Sequence, residues 1–191
     1  IAGGMTMTLS GVPGSGKSRL MDNIIVYTAI HHGWRWAVCS PESWPLKLHA
    51  KHLIQIYAGA PLNDFPEIGM PGMSERAVLD ALDKLNRNIT LVKPDVMSLD
   101  GIMATMDKVV LSEGVNGIVL DPWNRLGHRT PSGMSMTNYV GMALAEIKNF
   151  SQHRDVFTGI VAHPRKPDAG REEEGGFVSI KPYDIAESHN F

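Results

Sequence analysis

Gly11-Val12-Pro13-Gly14-Ser15-Gly16-Lys17-Ser18 spells G-x-x-x-x-G-K-S, and its flanks decide how the rest of the chain reads. Met5 to Ser10 reads as a short strand ahead of it. Arg19 to Ile30 reads as a helix behind it, with apolar positions at Leu20, Ile24, Tyr27 and Ile30. Strand, glycine-rich loop and helix in that order are what a phosphate-binding loop requires. Glycines at 11, 14 and 16 let backbone N–H groups turn inward with no Cβ in the way. The start of a helix adds partial positive charge, and the Lys17 ammonium reaches outer phosphates. The Ser18 hydroxyl is of the type that ligates Mg²⁺. Val12, Pro13, Ser15 and Arg19 complete the stretch expected to surround the phosphates. The pattern predicts a bound nucleoside triphosphate.

Composition excludes several other classes. The chain has 191 residues, 43% hydrophobic and 20% charged, as in an ordinary globular protein of one domain with a real core. Eighteen basic against 20 acidic residues leave a net charge of −2, so no global basic field points to nucleic acid. A nucleic-acid partner would need a local basic patch. The lone Cys39 makes no internal disulfide and suggests a reducing, cytosolic setting. No apolar run reaches the roughly 20 residues that span a bilayer. The chain opens at Ile1 without a signal peptide, as a piece of something longer would.

Strand-like and helix-like segments then alternate. Trp34 to Ser40, Ile89 to Val92, Gly117 to Asp121 and Val156 to Ala162 read as four further strands. Helices are expected from Pro45 to Tyr57 (Leu48, His52 and Ile56 at helical spacing), from Glu75 to Asn86, after Ser98, and from Ser135 to Arg154. Gly59 to Met73, rich in Gly and Pro, reads as an exposed connection. Alternation of this kind predicts an α/β fold, a mainly parallel sheet with helices on both faces. The 11 methionines read as core filler.

Three polar residues stand at strand ends, where ligands of open α/β sheets collect. Asp121 ends an apolar strand before Pro122; it either holds Mg²⁺ through water or caps the turn. Glu42, in Ser40-Pro41-Glu42-Ser43-Trp44-Pro45, either primes an attacking water or is a solvated acid before a helix. Position alone does not choose. His163, in Val161-Ala162-His163-Pro164, either donates to a γ-phosphate or is an ordinary loop histidine. His49 and His52 share a helix face but have no third ligand in sight for a metal. Arg125, His128 and Arg129 form a local basic excess suited to phosphates. Arg165 and Lys166 begin a second rim segment that Glu172 to Glu174 dilute, so it reads as a flexible insertion.

Taken in order, the loop at 11–18, Ser-Pro-Glu at 40–42, Val-Leu-Asp-Pro at 119–122, Val-Ala-His-Pro at 161–164 and Pro-Tyr-Asp-Ile at 182–185 resemble the RecA-like motor domain of DnaB-type hexameric replicative helicases. The Twinkle-like and phage primase–helicase branch is the nearest in pattern. The resemblance covers nearly the whole chain. It implies a P-loop ATPase using ATP and Mg²⁺, single-stranded DNA as partner, and a homo-hexamer in the full-length protein. It implies that the strand ending at His163 lies between the phosphate-loop strand and the Asp121 strand. It makes Glu42 the catalytic base, with Lys17 on the phosphates and Ser18 and Asp121 on Mg²⁺. His163 becomes a γ-phosphate sensor, coupled to DNA loops near 123–138 and 164–187, the latter including Asp184 and Ile185. Such proteins carry an arginine finger on later strands, and this chain ends at Phe191 before any candidate for one. A cytoplasmic setting in a bacterium or phage-infected cell is expected, with the mitochondrial matrix also open. Two other readings stay on the table: a RecA-like ATPase of recombination or regulation that does not translocate, and a small-molecule kinase.

Overall fold

The stretches Trp36–Cys39, Gly117–Leu120 and Phe157–Ala162 are short, mostly apolar and buried throughout, so each needs neighbours on both sides and cover on both faces. The computed structural model describes residues 1–43, 45–125 and 130–164. Five strands form one sheet: β1 (Thr6–Ser10), β2 (Trp36–Cys39), β3 (Ile89–Leu91), β4 (Gly117–Leu120) and β5 (Phe157–Ala162). The helices are α1 (Lys17–His32), α2 (Leu46–Ala58), α3 (Glu75–Asn86), α4 (Leu99–Glu113) and α5 (Met136–Arg154). Strand order is β1-β5-β4-β2-β3, every pair parallel. The expected fold class is borne out, and β5 does lie between β1 and β4.

Side-chain alternation along the strands builds two cores. Ala37, Cys39, Ile118, Leu120 and Ile160 face α4 and α5, meeting Ile102, Met106 and Ile147. Trp36, Val38, Val119, Phe157 and Val161 face α1, α2 and α3, meeting Met21, Ile25, Leu53 and Leu85. Burial of Cys39 pushes its thiol up to about 11, so it behaves as a small core hydrophobe. Ser74, Ser98 and Ser135 cap α3, α4 and α5 by accepting from the N–H of Ala77, Gly101 and Asn138. No described helix is long and apolar enough to cross a membrane.

Two helix faces differ from the sequence expectation. On α1, Leu20, Tyr27 and Ile30 are exposed, and the buried stripe is Met21, Ile25, Val26 and Ala29 together with Asp22 and Thr28. On α2, Leu48 is exposed while His49, Leu53 and Ile54 are buried. The cause is the same in both. Polar residues sit inside the buried stripe with partners supplied from elsewhere, so a count of apolar spacing slides to the wrong side of the helix. Thr28 donates to the Ile24 carbonyl at 2.7 Å and accepts from the Trp36 indole N–H at 2.9 Å.

Trp36 is fully buried and sits in register with Gly117 on the neighbouring strand. A Cβ at Gly117 would come within 2.5 Å of the indole ring. Gly117→Ala is therefore expected to destabilise the protein by roughly 1–3 kcal/mol through overpacking, read as a lowered denaturation midpoint at unchanged slope.

Candidate functional site

The loop from Gly11 to Gly16 leaves β1 and enters α1 through two left-handed glycines, Gly14 at φ 79° and Gly16 at φ 87°. Such angles favour glycine, and open space surrounds the Cβ position at both. A Cβ on Gly11 would stand 2.7 Å from the Ser15 hydroxyl. The Ser15 N–H closes a turn on the Val12 carbonyl at 3.2 Å. Gly16 caps α1 without a side chain, and the first turn carries no acidic residue. No side-chain cap therefore competes for the first amides, and the turn itself contributes no carboxylate. That chemistry fits a phosphate.

Lys17 is buried, its ammonium donating to the carbonyls of Gly11 at 2.6 Å and Val12 at 2.9 Å. A cation is thus held beside the loop's own backbone. Ser18 donates to the Asp121 carboxylate at 3.1 Å across 103 residues of chain. A hydroxyl and a carboxylate side by side are hard oxygen ligands of the kind Mg²⁺ takes. Asp121 is buried, its N–H bound to the Cys39 carbonyl at 2.9 Å, and its peptide bond to Pro122 is cis. Arg19 lies exposed on the first turn of α1.

The other expected residues fall on the same rim. Ser10 pairs with Ala162, so the glycine loop and His163 leave the sheet side by side. The His163 N–H donates to the Asn124 side-chain oxygen at 2.7 Å. That bond ties the end of β5 to the 3₁₀ turn Trp123–Arg125, which begins just beyond Pro122. Glu42 is the middle residue of a second 3₁₀ turn, Pro41–Ser43, directly after β2. Ser40 and Ser43 brace that turn, hydroxyl to hydroxyl at 2.8 Å. Cys39 pairs with Leu120, so the Glu42 turn and Asp121 leave adjacent strands on one edge. Of the basic residues expected to meet DNA, Arg125 stands on the turn after Asp121. Arg129, Arg165 and Lys166 lie outside the described residues, as do His128, Asp184 and Ile185.

The histidines of α2 part company. His49 is buried against Asp22 of α1, Nε2 to Oδ1 at 2.8 Å. His52 stays at the surface; partial desolvation and then the Arg19 charge hold its ring below the ordinary imidazole range. Among the described residues no three metal-ligating side chains gather. Asp22 escaped the sequence reading, because its burial follows from a partner on another helix. Asn124 has no local signal either; only the fold brings it to His163.

No family model matches the chain. A curated relative, the Twinkle homolog protein, chloroplastic/mitochondrial, of Arabidopsis thaliana, is 30% identical over 193 aligned positions, covering 98% of this chain. The chain spans about a quarter of that relative's length (26%). Among solved structures, a DnaB-like replicative helicase, described with its interactions with primase, superposes with a TM-score of 0.71 at 14% identity, over 99% of this chain and 46% of the other. A second solved structure, an ATPase domain, gives 0.71 at 14% identity over 96% of this chain and 64% of that one. A KaiC-like protein of Pyrococcus horikoshii gives 0.56 at 16% identity, over 84% and 62%. Sheet order, loop sequence and these likenesses together show a RecA-like P-loop fold, similar to that of DnaB-like helicase ATPase domains and, over this stretch of sequence, to the Twinkle homolog.

Proposed function

We propose that this chain is the ATP-hydrolysing motor of a replicative DNA helicase, coupling hydrolysis to movement along single-stranded DNA. The observation that carries the reading is the 3.1 Å contact between Ser18 and Asp121, made beside the buried Lys17 ammonium. In this reading the amides of residues 14–18 and Lys17 hold the phosphates of ATP, with Gly11, Val12, Pro13 and Arg19 around them. Ser18 and Asp121 hold Mg²⁺, which neutralises charge on the phosphate oxygens. Glu42 orients water and accepts its proton for in-line attack. His163 donates to the γ-phosphate and registers its loss. Its bond to Asn124 carries that change to the turn bearing Arg125.

Arg125, Arg129, Arg165 and Lys166 supply contacts to the DNA backbone, tolerant of sequence and sensitive to salt. The assembly is a homo-hexamer in which a neighbouring subunit contributes an arginine finger, worth about 10³–10⁵ in turnover. The likeness to a DnaB-like replicative helicase supports a DNA partner, and a reducing compartment such as a cytosol or an organelle matrix suits the lone buried thiol.

Steady-state ATPase of the full-length protein, with and without single-stranded DNA, tests the proposal. A several-fold rise in kcat with DNA, weakened by added salt, is the expected result. Turnover indifferent to DNA would instead identify a RecA-like ATPase that does not translocate. Turnover that requires a phosphate-accepting metabolite would identify a kinase. Either outcome overturns the motor.

A further inference from the structure

We propose that Asp22 and His49 form a positioning pair that fixes the Glu42 turn relative to the phosphate loop. The inference rests on the reading of Glu42 as the residue that activates water. Asp22 is 5% exposed and His49 2%, and their 2.8 Å contact joins α1 to α2. Around them the interface is apolar, built from Met21, Ile25, Val26, Leu53 and Ile54.

A buried polar pair in such a setting adds little net stability, because well-packed apolar residues of similar volume do as well or better. What it adds is direction. A hydrogen bond weakens steeply outside a narrow range of distance and angle, whereas apolar side chains let two helices slide. With Nε2 carrying the proton, the His49 ring donates to the carboxylate; among the described residues Nδ1 is buried without a hydrogen-bond partner. The ring is therefore held by one directional bond.

The location gives that bond its use. Asp22 stands on the same helix as Lys17 and Ser18, about 7.5 Å along the axis from Lys17 at 1.5 Å per residue. His49 is on the first turn of α2, which starts at Leu46. Between β2 and α2 run only residues 40–45, and Glu42 is among them. One end of that segment is anchored centrally in the sheet, where the Cys39 carbonyl accepts from Asp121 N–H at 2.9 Å. The other end is anchored to the phosphate-loop helix by His49. Both ties lead back to the residues proposed to hold MgATP, so the turn that carries Glu42 and the phosphate loop share one frame.

The test uses the full-length protein, steady-state ATPase, binding of a non-hydrolysable ATP analogue and thermal denaturation. An Asp22→Leu, His49→Leu double variant keeps the interface filled while removing its direction. It is expected to hold its melting temperature and analogue affinity while kcat falls about tenfold or more, since small misplacements at reacting groups cost that much. His49→Gln, which returns an N–H near the Nε2 position, should recover most of the lost kcat. Wild-type kcat in the double variant, or kcat and affinity falling together, overturns the pair's role. Should the double variant not fold, His49→Asn decides on the same two readouts, its shorter amide being unable to reach Asp22. Glu42→Gln separates the layers. If it turns over ATP normally, the reading beneath fails and takes the pair with it. If it is inactive while the pair variants keep wild-type kcat, only the pair fails.

Discussion

Lys17→Ala is expected to remove ATP turnover and to weaken ATP binding by about 100-fold or more, while the fold survives. Hydrogen bonds from a charged donor contribute about 1.5–3 kcal/mol each, and loss of two such contacts to phosphate oxygens reaches that figure. The fold is expected to survive because the ammonium's bonds to Gly11 and Val12 end on loop carbonyls, not on core groups. Val12 is exposed, so water replaces the donor at its carbonyl once the side chain is gone. The measurement pairs analogue binding by calorimetry with a thermal melt. Normal affinity in the variant would remove the phosphate-loop reading; a melt lowered by many degrees would assign Lys17 to structure.

Glu42→Gln is expected to separate binding from chemistry. The amide keeps the size and polarity of the carboxylate but accepts no proton, so kcat should fall by about 10²–10⁴. Analogue affinity should stay within a factor of about 2, because the change removes a group that acts on water and leaves the phosphate contacts alone. Single-turnover kinetics with bound ATP provide the direct readout: a slow chemical step at full occupancy. The two variants thus fail in opposite ways, one unable to hold the nucleotide and the other unable to cleave it. A Glu42→Gln protein that hydrolyses ATP at the normal rate would move the base elsewhere on the rim.

How much of this was legible in the sequence differs from element to element. The inner strands announce themselves, because apolar runs such as Gly117-Ile118-Val119-Leu120 suit a sheet covered on both faces. Helix starts at Ser74, Ser98 and Ser135 are equally plain, since a capping hydroxyl is a local signal. The phosphate loop is legible for the same reason: glycines, lysine and serine act within eight consecutive residues. Helix faces were less so. Asp22 and Thr28 of α1, and His49 of α2, are polar yet buried, and the partners that make burial tolerable come from other elements. Apolar spacing alone cannot anticipate such cross-element pairs. Among the site residues, Asp121 and His163 were visible as polar ends of apolar strands, whereas the role of Asn124 exists only once β5 lies beside the Trp123–Arg125 turn.

The Ser18–Asp121 contact, reaching over 103 residues, has a consequence for how this protein responds to stress. Neither the first half of the polypeptide nor the second owns the whole of the proposed binding site. Under the proposed function nucleotide recognises only the fully folded chain, and saturation at 100 times Kd would add about 2.7 kcal/mol to its resistance to unfolding. A cell depleted of triphosphate would withdraw that reinforcement from every copy at once. Persistence of the polypeptide would then track energy supply before any catalytic demand is made of it.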